Sequence, residues 1–323
     1  MRRTAWTMAN GAAGKKGSAL TIGNVPGCTT MSEKGREPMS YSSYECLKIR
    51  SNQGVAFVTI DHPPINLFDM ALILEVDRLG RELEADADVR AVVVDSADPD
   101  FFVAHADVDL ILTVSEEARE APREPSFFQQ MVDRFRSMPK ATIALIEGIC
   151  RGGGSEWVLS MDMRFAALGK AVLAQPEVAV GIIPGGSGTQ RLPRLMGRSR
   201  ALEVILGCED FSAELAERYG YVNRALPPDE LRPFVENLAY RIASFPAEAI
   251  ARAKAAALAA EPPVAPGLTE EARLFDESAA TPAARERMRA FLKAGGQTRE
   301  VEGVSGALSA SKGDWLRTPD SSE

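Results

Sequence analysis

Two glutamates, Glu156 and Glu177, stand 21 residues apart between two glycine-rich stretches. Gly152-Gly153-Gly154 comes just before the first, and Gly185-Gly186-Ser187-Gly188 follows the second. Glycine lets a backbone come close to a ligand and present its N–H groups with no side chain in the way. Backbone donors polarise a carbonyl, and carboxylates move protons. The stretch from Glu147 to Arg194 is therefore read as a site where both act on one ligand. Alone, each glutamate would read as a surface acid, and Glu156 near a helix start would also suit the helix dipole. The second glycine run reads mainly as a packing or turn device, with some help to the site from the short helix it opens. Neither run fits the dinucleotide fingerprint, and no Walker A pattern occurs.

The elements that must hold these residues follow from periodicity. Ordered sequence is predicted from Tyr44, with a hairpin formed by residues 46–50 and 55–60 about Asn52-Gln53-Gly54. Leu72, Leu74, Val76, Leu79 and Leu83 recur at helical spacing within 70–87. The apolar run 91–94 reads as a buried strand, so strand, helix and strand imply a right-handed crossover. Phe101 to Asp107 follows that strand, where α/β sheets carry their ligand-binding loops. Residues 116–125 are charged and Pro-bearing and read as a mobile loop. A helix is predicted at 127–138, and a buried strand at 142–146 that runs straight into the glycines. A helix from Gly153 and strands at 163–167 and 172–173 follow. Beyond Arg194 the sequence predicts helices at 199–206, 213–219, 229–244, 247–259, 269–279 and 283–293, with Ser212 and Asp229 as caps.

Composition bounds the function. The 323 residues are 45% apolar and 25% charged, enough for a sizeable core. The net charge of −8 disfavours a general polyanion binder, so no nucleic-acid partner is expected. No apolar run is long enough to span a membrane. Cys28, Cys46, Cys150 and Cys208 fit neither a zinc pattern nor a small disulfide scaffold, and read as reduced thiols of a cytoplasmic protein. Residues 1–40 are basic and rich in Gly, Ser and Thr, and read as a disordered leader. They lack a secretory apolar segment and the strong Arg-rich periodicity of a mitochondrial transit peptide, although a transit role would move the protein to the mitochondrial matrix. Residues 298–323 read as a disordered tail.

The motifs together resemble the crotonase, or enoyl-CoA hydratase/isomerase, superfamily over roughly residues 44–295. The resemblance is carried by Asp61-His62-Pro63-Pro64-Ile65-Asn66, Ala104-His105-Ala106-Asp107, Gly148 with Gly152-Gly153-Gly154-Ser155-Glu156, Gln175-Pro176-Glu177, and 183–192, which begins Ile183-Pro184-Gly185-Gly186. It implies an α/β fold: a spiral of ββα units over 41–200, then a helical trimerisation region at 201–297. It implies an acyl-CoA substrate and a homo-oligomer, trimer or dimer of trimers. The N–H groups of Ala106 and Gly153 would form an oxyanion hole for the thioester oxygen, with Glu156 and Glu177 as proton-transfer groups. Glu156 would accept the proton of an attacking water, and Glu177 would deliver one to C2. Substrate contacts are expected from Ala104, His105, Asp107, Gly152, Trp157, Pro184, Gly185 and Phe291. No metal and no cofactor beyond the CoA of the substrate are implied. Hydration of a trans-2-enoyl-CoA is the first reading. Isomerisation, decarboxylation or thioester hydrolysis on the same scaffold is an alternative, and a non-catalytic CoA- or RNA-binding role is another.

Several residues depart from the family pattern. His105 stands where the family usually has glycine; either the loop accepts it, or its imidazole lines the pocket and changes the chemistry. Glu147 and Arg151 are four apart and suggest a local ion pair. Asp109 and Pro64 stand where many members place CoA-contacting lysines, so Arg151, Arg191 or Lys293 are the candidates for that contact. Phe128, Met131, Trp157 and Met161 read either as an acyl tunnel or as plain core.

Overall fold

The structure, a computed structural model, describes residues 41–115 and 124–303. The expected leader, most of the loop expected at 116–125, and the tail beyond 303 lie outside the described residues. β1 (Leu47–Asn52) and β2 (Val55–Ile60) form the expected antiparallel hairpin, with Gln53 and Gly54 turning at positive φ. α1 (Met70–Ala85) buries Leu72, Val76, Leu79 and Leu83 on one face, and its N-cap Asp69 accepts from the Leu72 N–H at 3.0 Å. β3 (Ala91–Ser96) then returns parallel to β2.

From here the chain repeats one device. A strand in a large sheet leads to a short strand in a second sheet, and then to helix. β3 is followed by β4 (Phe101–Val103), α2 (Val108–Ser115) and α3 (Phe127–Ser137). β5 (Ala141–Ile146) is followed by β6 (Ile149–Arg151) and α4 (Gly152–Leu159). β7 (Met163–Ala167) is followed by β8 (Val172–Ala174), one 3-10 turn at Glu177–Val180, and α5 (Gly188–Met196). α6 (Arg198–Gly207), β9 (Phe211–Ser212), α7 (Ala213–Tyr219) and β10 (Arg224–Leu226) come next. The chain continues with α8 (Pro228–Ala243), α9 (Ala247–Leu258), α10 (Ala265–Ala279), α11 (Pro282–Lys293) and α12 (Arg299–Glu302).

The large sheet runs β1-β2-β3-β5-β7-β10 and the small one β4-β6-β8-β9. All pairings are parallel except β1 with β2 and β8 with β9. This is the expected spiral of ββα units. Parallel strands covered on both faces must be apolar throughout, and β5 is buried at every residue. Trp157 of α4 is wholly buried within the core, its ring centroid 5.3–5.5 Å from Phe68 and Phe135 and 6.3 Å from Phe102. Such ring pairs each add about 0.5–1.5 kcal/mol beyond their burial.

Two expected boundaries shift. β9 and β10 lie beyond residue 200 yet complete the two sheets, so strand and helical regions are not divided there. The tail expected from 298 does not start there, because Thr298 caps α12, accepting from the Val301 N–H, and Glu302 is fully buried. Pro227, not Asp229, occupies the N-cap of α8. Among the described residues, no helix is long and apolar enough to cross a membrane.

Candidate active site

Parallel β4, β6 and β8 end side by side, with Val103 against Cys150, Cys150 against Leu173, and Arg151 against Ala174. The segments leaving their carboxyl ends carry His105 and Ala106, then Gly152, Gly153 and Glu156, then Gln175 and Glu177. Short parallel strands thus converge three distant pieces of sequence on one place.

Ala106 is held by a parallel bridge to Phe68, in which the Phe68 N–H donates to the His105 carbonyl at 2.9 Å. The Asp107 N–H donates to the Phe68 carbonyl at 3.1 Å. The bridge leaves Ala106's own N–H out of the ladder. Gly153 sits in the first turn of α4, where N–H groups have no partner inside the helix. A Cβ built on Gly153 would lie 3.2 Å from Ala106 Cβ and 3.6 Å from Ala106 N, so the two backbones meet closely. Both line a cavity of about 470 Å³ that also takes in Glu156, Glu177 and the apolar side chains of Phe68, Leu110, Phe128, Phe275 and Phe291. That is the size and character of a small-molecule site.

Glu156 is 3% exposed and its Oε1 accepts from the N–H groups of Gly186 at 2.7 Å and Gly188 at 2.8 Å. Burial drives its pKa well up, and the charges of Glu177 and Glu271 add to that, while the two N–H donors oppose it. Glu177, 9% exposed at the start of the 3-10 turn, is pushed up by burial to about 8. With the Gln175 amide oxygen facing the Ser155 hydroxyl, its NH2 reaches both Glu177 oxygens at 3.2 Å. Ser155 Oγ in turn lies 2.7 Å from the Tyr221 hydroxyl. Two buried carboxyls, one of which feels the charge of the other, resist being ionised together. One negative charge and one proton, beside two backbone donors, can polarise a carbonyl, accept a proton and deliver another.

The structure brings Glu156, Glu177, Ala106, Gly153, His105, Asp107, Gly152, Gly185 and Phe291 together on the cavity wall. It does not bring Ala104, Trp157 or Pro184 there. The side chain of Ala104 packs with Ile65, Phe101 and Ile149, and its N–H donates to Ile65. Trp157 belongs to the core, and its indole N–H has no partner among the described residues. Pro184 is buried behind the glycine turn, 2.9 Å from a Cβ built on Gly188. Of the proposed tunnel residues, Phe128 lines the cavity and Met131 lies in the core. Met161, buried in that core, faces a different hollow beside α9.

The expected Glu147–Arg151 pair does not form. Arg232 takes Glu147 at 2.9 Å and Asp95 at 2.6 Å. Arg151 is fully buried and grips Asp210 with two bonds of 2.8 Å, so it faces no ligand. Arg191 is likewise buried against Asp133. Three supporting residues escaped the sequence reading. Glu271 of α10 accepts from Ser187 N at 2.6 Å, Thr189 N at 3.0 Å and Gln129 Nε2 at 2.9 Å, and so fixes the second glycine turn. That turn is therefore a clamp on Glu156 and not only a helix opening. Glu302 meets His105, and Gln297 accepts from the Val108 N–H at 2.6 Å. Their roles arise from contacts far along the chain and leave no local pattern to read.

The sequence pattern of the enoyl-CoA hydratase/isomerase family matches residues 50–297. The chain is 32% identical over 253 residues to the crotonyl-CoA hydratase of Syntrophomonas wolfei, covering 78% of this chain and 96% of that one. It is 32% identical over 251 residues to the short-chain-enoyl-CoA hydratase of Clostridium acetobutylicum, covering 77% and 94%. A crystal structure of an enoyl-CoA hydratase candidate from Streptomyces avermitilis is 38% identical, with a TM-score of 0.75 over 82% of this chain and 98% of that one. With the spiral fold, the converging carboxylates and these matches in hand, the chain belongs to the enoyl-CoA hydratase/isomerase family.

Proposed function

We propose that the protein hydrates a trans-2-enoyl-CoA thioester to the 3-hydroxyacyl-CoA. The observation that carries this reading is the pair of buried carboxyls, Glu156 and Glu177, on the wall where the Ala106 and Gly153 backbones meet. The thioester oxygen would accept from the two N–H groups, and its charge would grow as the enolate forms. One such donor is worth about 3 kcal/mol in the transition state. Burial lifts both carboxyls, and the two N–H groups on Glu156 Oε1 oppose that lift and favour its ionised form, so the base role is given to Glu156. It would take a proton from water as the oxygen bonds to C3. Glu177, with a pKa near 8, carries a proton at neutral pH and would give it to C2. The apolar wall excludes bulk water and accepts the acyl chain. His105, Asp107, Gly152, Gly185 and Phe291 are the substrate-lining residues in this reading.

The names of the two bacterial hydratases support a short acyl chain. Incubation with crotonyl-CoA, followed by mass analysis, is expected to show the gain of one water. Loss of that gain in both Glu156→Gln and Glu177→Gln supports the two-carboxyl mechanism; full activity in either sinks it.

The protein is further proposed to assemble as a homotrimer or a dimer of trimers. α9 supports this, because its Ala-, Ile- and Leu-bearing length buries no residue against the other described residues. Sedimentation of the full chain tests it, and a monomer would end it. Cytoplasmic fatty acid metabolism is the proposed setting, in keeping with three buried free thiols, Cys46, Cys150 and Cys208.

A further inference from the structure

His105 sits in the loop that carries Ala106, and both of its ring nitrogens face oxygen acceptors. Nε2 lies 3.1 Å from Glu302 Oε1, and Nδ1 lies 2.7 Å from the Ala106 carbonyl oxygen. A neutral imidazole has one N–H and satisfies only one of them. The doubly protonated ring satisfies both. Glu302 is itself equipped to stay ionised, since Arg151 Nη1 lies 3.5 Å from Oε2 and the Gln297 N–H donates to Oε1 at 3.1 Å. It arrives on α12, which Arg299 anchors to Asp98 and Asp100 ahead of β4.

On its other side His105 approaches Glu177. Gly152 lies between them at φ +48°, and the position a Cβ would take there is 3.1 Å from Glu177 Oε1 and 3.2 Å from His105 Cβ. A side chain at 152 would thus fill the gap between the two residues, besides straining the backbone.

We propose that His105 is a positioning residue that Glu302 keeps as an imidazolium, so that the Glu177 carboxyl meets a fixed positive charge across Gly152. The proposal rests on the reading of Glu177 as the proton donor. Burial and Arg151 work against the imidazolium, and Glu302 with the Ala106 carbonyl outweighs them, leaving the His105 pKa raised. The charge of His105 in turn opposes the burial that lifts Glu177.

The other groups facing the pair are accounted for. From β6, Arg151 is paired with Asp210; from α10, Glu271 works to raise both Glu177 and Glu156, and Glu177 in turn works to raise Glu156. Cys208, at the end of α6, is pushed up by burial to about 11, and the Tyr221 hydroxyl is raised likewise, so both stay neutral. Arg287 of α11 donates to the Ala179 carbonyl of the 3-10 turn.

Two histidines, His62 and His105, occur in the chain, so ring nitrogen NMR of the whole protein is readable. The signal kept in His62→Gln belongs to His105. It is expected to be doubly protonated at pH 7.5, where an ordinary histidine is neutral, and to become neutral there in Glu302→Gln. A neutral ring in the wild type overturns the proposal, as does a ring indifferent to Glu302→Gln. This readout needs no turnover and stands even if the hydratase reading fails; the wild-type spectrum alone decides if the variant does not fold. In kinetics, the alkaline limb of kcat, where Glu177 loses its proton, should move up by about one pH unit in His105→Gln. It should move the same way in Glu302→Gln and no further in the double variant. Limbs that stay put in variants of unchanged Tm would overturn the tuning of Glu177.

Discussion

The backbone N–H of Gly186 donates to Glu156 Oε1 at 2.7 Å, joining two residues 30 apart in sequence. A Cβ at Gly186 would fall 2.6 Å from Glu156 Oε2 and 2.5 Å from the Phe128 ring. Gly186→Ala must push the carboxylate or the ring aside. Displacing a reacting group by about 1 Å lowers kcat roughly 100-fold, and overpacking costs about 1–3 kcal/mol. Steady-state kinetics and a urea titration read both effects. A variant as active as the wild type would mean that the second glycine turn does not hold Glu156.

Glu177 makes a pH prediction with a definite sign. Burial raises its pKa from 4.5 to about 8. Between those values the native state binds a proton that the unfolded chain has released. The stability this group contributes is complete below pH 4.5 and is lost as pH rises through 8. Glu177→Gln is neutral throughout. It should match the wild type at low pH and exceed its stability above pH 8 by about 2 kcal/mol or more. Denaturant titrations at the two ends of that range check this, and parallel pH curves for both proteins would refute it.

Glu271 should matter for activity without touching substrate. Its carboxylate satisfies Ser187, Thr189 and Gln129 in the interior. Glu271→Ala leaves those donors without a partner, at about 3–5 kcal/mol. Release of the turn should also lower kcat, because the turn holds Glu156. A fall in Tm with kcat unchanged would confine Glu271 to the fold.

Trp157 separates core from pocket. The ring lies among Phe68, Phe102 and Phe135 and does not line the cavity. Trp157→Phe should leave KM unchanged and cost about 1–2 kcal/mol for the space vacated, less any relief from removing an indole N–H that has no partner among the described residues. A raised KM at unchanged stability would put the indole against the substrate after all.

The sequence exposed what local pattern can carry. The helical face of α1 and the alternation of the hairpin were readable, because burial imposes a period on each. The two glutamates and their glycines were readable because the site packs them into one stretch. β4 and β6 do not stand out from the loops beside them, although β8, equally short, does. In the sequence Glu302 reads as tail, and Arg151 as half of a local pair or as a CoA contact. The partners that define them, His105 and Asp210, lie 197 and 59 residues away. Trp157 stood inside the motif, yet α4 turns that side of itself to the core. Spacing told which residues share a stretch, and only packing told which way each side chain faces.

In the proposed reaction Glu156 and Glu177 together add water across an activated double bond. The most direct measurement is mass spectrometry of a pool of trans-2-enoyl-CoAs incubated in heavy water with wild type, Glu156→Gln and Glu177→Gln. The wild type is expected to add one water, with deuterium at C2, and neither variant to add any. Deuterium at C2 without water addition, or no change in any member of the pool, would contradict the proposed reaction.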